Sequence, residues 1–131
     1  MPKPCRRCAL LWLTSAQQQL AHAMSEAELA GAVEDAFTRF GWRWVHFRPA
    51  RKQAGWATAM SGHPGSPDYM IARNDELLFI ELKSQHGRLT ADQEAWGAAL
   101  DNLAGQTGGR VWYGVWRPSH WLGGHIEAVL K

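Results

Sequence analysis

The sequence predicts a single α/β domain with the element order α-β-β-β-α-β. Three observations carry that reading. Four short apolar runs, at residues 42–47, 68–72, 77–83 and 111–116, are set off by Gly, Pro, Asn or Ser. Two longer stretches, starting at Ser25 and Thr90, each open on a capping box. The chain has 131 residues, 46% of them hydrophobic, with no internal repeat and no linker, which suits one packed core.

The elements follow in order. Ser25-Glu26-Ala27-Glu28 caps a helix that runs to about residue 40 and stops at Gly41. At roughly 100° per residue, Leu29, Ala30, Val33, Phe37 and Phe40 form one apolar stripe, and Glu26 falls near its centre. Glu28 and Asp35 fall on the opposite side. Residues 42–47 alternate and are aromatic, so they read as a strand. Residues 48–66, rich in Gly, Ala and basic side chains, read as a long loop. A short strand at 68–72 turns at Asn74-Asp75 into a buried strand at 77–83. Gly87 marks a further turn, and Thr90 with Gln93 caps a helix to about residue 103. "GQTGG" breaks that helix before the strand at 111–116. A short helix near residues 126–130 follows Pro118.

Charge and cysteine content narrow the classes. The formal net charge is +2, so basicity alone does not announce nucleic acid. Between Ala36 and Pro67, however, no acidic residue occurs, while Arg39, Arg43, Arg48, Arg51 and Lys52 do. That one-sided stretch suits either an anionic partner or a solvated loop. The eight tryptophans suit the core or its rim, with stacking open to one or two. Cys5 and Cys8 form a lone CxxC without the second ligand pair of a zinc site, and so few thiols fit a reducing compartment. "CALLWL" is too short for a signal peptide core, and no apolar run is long enough to span a bilayer. Residues 1–23 read as a dispensable N-terminal extension, either a short helix or a misassigned start, and 24–131 as the domain.

The chemistry concentrates in "GSPDYMIARNDELLFIELKSQ", residues 65–85. A hairpin turning at Asn74-Asp75 brings the start of one strand beside the end of the next, so Asp68 and Glu81 can meet. Alternation puts Glu81 and Lys83 on one face and Leu82 on the other. Two carboxylates beside an ammonium suit a hard divalent cation such as Mg²⁺, with Lys83 orienting water and offsetting transition-state charge. Glu26 could reach the same spot. The plain alternative is a surface Asp and an exposed Glu–Lys pair. The neighbours are nearly all apolar, and charges buried without partners are rare.

These residues resemble the PD-(D/E)xK nuclease signature, with Pro67-Asp68 and Glu81-Leu82-Lys83. Within that superfamily they resemble VRR-NUC domains, small nucleases found alone in phages and attached to larger repair enzymes. "SEAEL", "GWRWVHFR", "GSPD", "IELKSQHGRLTADQEAW" and "VWYGVWRPS" carry the likeness over about residues 24–121. The resemblance implies a restriction-endonuclease-like core, a mixed central sheet flanked by helices. It implies Mg²⁺ or Mn²⁺ held by Asp68, Glu81 and the Leu82 main-chain carbonyl, with Glu26 from the first helix. Lys83 matches the catalytic lysine, and Gln93 matches a glutamine on the following helix as well as serving its cap. One departure is Ala30, where family members often carry glutamine. The candidate DNA contacts are His46, Arg48, Arg51, Lys52, Ser84 and Gln85.

The expected activity is divalent-metal-dependent DNA endonuclease, selective for flaps, Holliday junctions or other branched DNA, in bacterial or phage-infected cytoplasm. A homodimer would suit a symmetric junction. A non-catalytic nucleic-acid-binding module is the alternative, and intact Asp68, Glu81 and Lys83 argue against it. A carboxylate-pair glycosidase is a third class. Lys83 argues against that one, because it should hold Glu81 ionised.

Overall fold

The computed structural model describes residues 13–47, 50–52, 55–57 and 61–131, with the backbone alone for 50–52 and 55–57. Its elements are α1 (Ser15–Ala23), α2 (Glu26–Arg39), β1 (Arg43–His46), β2 (Ala50–Lys52) and β3 (Gly55–Ala57). They continue with β4 (Tyr69–Arg73), β5 (Glu76–Leu82), α3 (Ala91–Gln106), β6 (Val111–Trp116), α4 (Pro118–Leu122) and α5 (His125–Leu130). The fold is mixed α/β. A four-stranded sheet has the order β1-β4-β5-β6, antiparallel except for the β5–β6 pair. That parallel pair requires a crossover, and α3 supplies it.

One face of the sheet carries the core. Tyr69, Ile71, Leu78, Ile80, Leu82, Trp112 and Trp116 alternate onto it and meet Leu29, Val33 and Phe37 of α2 with Ile126 and Leu130 of α5. Phe37 sits edge-on to Tyr69, with ring centroids 5.3 Å apart. The other face carries Met70, Phe79, Glu81 and Tyr113. Among the described elements α3 covers it, over β6, and Gly97 makes that approach possible. A Cβ at Gly97 would lie 2.8 Å from the Tyr113 ring. Over β1 that face stays open, with Val45 39% and Phe47 43% exposed.

Several expectations change. The segment read as a loop at 48–66 contains the β2–β3 hairpin, a separate two-stranded sheet. Strands of three residues are too short for alternation to register in sequence. The helix expected to stop near residue 103 continues to Gln106, where Thr107 takes over as its C-cap. Pro118 opens an unforeseen helix, α4, at a position where its missing N–H costs nothing. Within the N-terminal extension, for which a short helix is one reading, residues 15–23 form α1, which packs on α4 and buries Ala21 completely. His22 Nδ1 and His86 Nε2 lie 2.6 Å apart and tie α1 to the loop after β5. Among the described residues no helix is long and apolar enough to cross a membrane.

Candidate active site

The β4–β5 register decides the central geometry. Tyr69 pairs with Ile80 and Met70 with Phe79, so one step further Asp68 stands opposite Glu81. Asn74, at φ 55°, takes the left-handed turn conformation that asparagine tolerates and so closes the hairpin. The Phe47 N–H donates to the Asp68 carbonyl at 2.8 Å, which extends the β1 ladder beside the site. The Lys83 N–H donates to the Trp116 carbonyl at 3.0 Å, so pairing with β6 outlasts β5. Lys83 therefore shares a face with Glu81.

Each carboxylate is held. Asp68 Oδ2 accepts the Leu82 N–H at 2.7 Å. Glu81 Oε1 accepts Gln93 Nε2 at 3.0 Å. The other end of the same amide, Gln93 Oε1, accepts the Thr90 N–H at 2.9 Å. Gln93 thus completes the α3 capping box and grips Glu81 at once. Among the described residues Glu28 is bound into its own cap, where the Ser25 N–H reaches its carboxylate at 3.3 Å.

The electrostatics are those of crowding. Glu81 is 2% exposed. Its carboxyl is pushed up to about 8, first by burial, then by the charge of Asp68 and a hydrogen bond with it, with Glu26 adding to the rise. Lys83 pulls the other way and loses. Against the expectation that Lys83 keeps Glu81 ionised, desolvation and the facing carboxylate push the carboxyl upward more than one half-buried ammonium pulls it down. Burial and Asp68 also push Glu26 upward, against the pull of Lys83. Of the two first-turn acids on α2, Glu26 is thus the one coupled to the pair. Among the described residues no cluster of three or more His, Cys, Asp and Glu side chains could hold a metal ion unaided. A cation here would also draw on backbone or water oxygen.

The surroundings lock this arrangement. Gly65 has φ +87°, and a Cβ there would come within 2.7 Å of Asp92. That approach seats the "GSPD" turn on the first turn of α3. Behind Lys83, buried Arg117 donates Nη1 to the carbonyls of Ser84 at 2.8 Å and Gly87 at 2.7 Å. Gln85 is a correction. It is 2% exposed and accepts the Ser119 N–H at 2.9 Å, so it braces the loop against α4 and does not face outward to DNA. Ser84 is half-buried, its carbonyl held by Arg117. His46 stacks on Tyr69, ring centroids 4.1 Å apart, with Nδ1 3.4 Å from Glu34, to which the Tyr69 hydroxyl also donates. A carboxylate at that distance competes with any phosphate for His46. Arg48, Cys5 and Cys8 lie outside the described residues, as do the side chains of Arg51 and Lys52.

Sequence reasoning missed Tyr113 and Arg117. The Tyr113 hydroxyl is pushed up to about 12 by burial and by Glu81, Asp101 and Asp68, which sets it beside the acids. The mid-helix Gly97 was the available signal, since such a glycine marks close packing. No family model and no curated protein sequence matches this chain.

Proposed function

We propose that this chain is a divalent-metal-dependent DNA endonuclease with a PD-(D/E)xK, VRR-NUC-like core. The observation that carries the reading is the placement of Asp68 opposite Glu81 across the hairpin, each acid held by its own donor, beside Lys83. Such a pair gains nothing for stability, since Asp68 raises the cost of ionising Glu81. A proton relieves that cost, and so would a hard cation, to which the oxygen donors are suited. Asp68, Glu81 and the Leu82 carbonyl would hold Mg²⁺ or Mn²⁺, with Glu26 adding negative charge nearby. The ion supplies Lewis acidity toward a phosphodiester and lowers the pKa of water.

The chain's own groups supply the rest. Leu82 N–H and Gln93 fix the two carboxylates, so neither must reorganise during reaction. Lys83 sets its ammonium on the same face, where it orients the attacking water and offsets charge on the phosphate. Water oxygen bonds to phosphorus and gives up a proton to solvent, the bond to one bridging oxygen breaks, and that oxygen takes a proton from solvent. In this reading the substrate is branched or flapped DNA, and two copies of the chain act on a symmetric junction.

The test is cleavage of junction, flap, single-stranded and linear duplex DNA with Mg²⁺, with Mn²⁺ and with EDTA. Cleavage is expected with either metal on at least one branched substrate and not in EDTA. Lys83→Ala should slow it about 10²- to 10⁴-fold. Binding without cutting under every condition would move the chain to the binding-module class, and full activity in Asp68→Ala would end the mechanism.

A further inference from the structure

A second concavity lies next to the acids. His63 and Pro64, from the loop ahead of β4, face Asp92, Ala95, Trp96 and Ala99 of α3 across a cavity of about 430 Å³. That is within the range of sites that hold small organic ligands, about 300–1,000 Å³. We propose that it seats an unpaired nucleobase of the DNA, one step along the strand from the phosphate to be cut. The proposal rests on the nuclease reading above and adds the feature of the substrate that the site selects.

Four observations support a base as the occupant. First, Trp96 is preset as a stacking wall. Its indole Nε1 donates to the His63 carbonyl at 3.3 Å, which fixes the ring and satisfies its polar atom. Second, both walls are tied together without a ligand, because Gly65 packs directly on Asp92. A preformed site costs little ordering on binding. Third, among the described residues the lining has one carboxylate, Asp92, and no Lys or Arg. A carboxylate repels phosphate, but it accepts hydrogen bonds from the exocyclic amino groups of adenine, cytosine or guanine. Fourth, the cavity adjoins the acids along α3: Trp96 follows Gln93 by three residues, so both lie on neighbouring turns of one helix side, and Gln93 donates to Glu81.

The plain alternative gives Trp96 to loop anchoring and Asp92 to the N-terminal end of the helix dipole, where an acid is favourable. It accounts for each residue separately. It does not account for the apolar space left between them. A base paired within a duplex cannot enter that space, so the pocket would favour flaps, junction arms and single strands over intact duplex.

An abasic scan tests this with the full chain in EDTA, so that binding is read without cleavage. A single abasic site is moved along the unpaired strand of a flap, and affinity is measured by fluorescence anisotropy. At one position near the fork, loss of the base should weaken binding about tenfold. In Trp96→Leu the flap should bind about tenfold more weakly throughout, and the abasic site should then cost nothing further, as coupled groups require. Ala99→Leu, at an exposed helical position, fills the cavity while keeping Trp96, and should give the same loss of coupling should Trp96→Leu fail to fold. Duplex binding should be unchanged in both variants. Equal abasic costs in wild type and both variants, or no cost at any position, would overturn the pocket. Metal-dependent cutting alongside that result would leave the nuclease reading intact, whereas absence of all DNA binding would end both.

Discussion

Strand β4 carries a charged residue near each end, and the two are treated oppositely. At the far end Arg73 donates Nη1 to the carbonyls of Phe40 and Leu130, both at 2.8 Å, and lies 4.3 Å over the Trp42 ring. There the cation's Nη atoms meet carbonyl oxygen and its plane meets π-density, and it pins the ends of α2 and α5 to the sheet. At the near end Asp68 faces another acid, with one half-buried lysine as compensation. The first arrangement contributes stability. The second costs it, and it persists because the Leu82 N–H, Gln93 and the sheet register hold the groups in place. Like charges pressed together in a protein that could have separated them point to a task beyond folding.

Substitutions at the two ends should therefore fall into opposite classes. Asp68→Asn is expected to remove metal-dependent cleavage to background while leaving the melting temperature unchanged or higher. A large drop in melting temperature would show that Asp68 is structural, like Arg73. Arg73→Leu should lower stability by about 3 kcal/mol, since its charged hydrogen bonds to carbonyls are lost together. Chemical denaturation measures this, and a loss below about 1 kcal/mol would mean that water replaces the guanidinium.

Gln93 sharpens the comparison because it serves fold and site at once. Gln93→Glu keeps a capping-box side chain but replaces the donor that grips Glu81 with a third acid. Cleavage should fall about 10- to 100-fold, the usual cost of losing a partner that orients a ligand. Glu28→Gln, in the matching cap of α2, should leave the rate unchanged. Glu26→Gln should raise the metal concentration needed for half-maximal cleavage. Loss of activity in Glu28→Gln with none in Glu26→Gln would reverse the assignment of the two acids.

The smallest effect is one of pH on the metal-free protein. The folded value of Glu81, about 8, lies above its ordinary 4.5. The folded chain thus keeps a proton that the unfolded chain has lost. The associated stability is complete below about 4.5 and declines as pH rises toward 8. Denaturation in EDTA should show this decline, and Glu81→Gln should flatten it. An identical slope in the variant would exclude Glu81 as its source.

The sequence by itself determined whatever consecutive residues can carry. Ser25 with Glu28 and Thr90 with Gln93 close their boxes within one turn, and both helices start where those pairs stand. The stripe of Leu29, Val33 and Phe37 is buried because helical periodicity is a local property. Even the meeting of Asp68 with Glu81 is local in this sense, since a tight turn at Asn74 sets the register of everything paired beyond it. Tertiary structure alone decided what α3 and α4 do to that pair. Gln93 reaches Glu81 only because Gly97 lets α3 settle on Tyr113. Gln85 turns inward because Ser119, 34 positions later, presents its N–H there. The charge balance at Glu81 likewise depended on how deeply α3 buries it, and burial is a property of the packed molecule. No pattern of neighbouring residues encodes those distances.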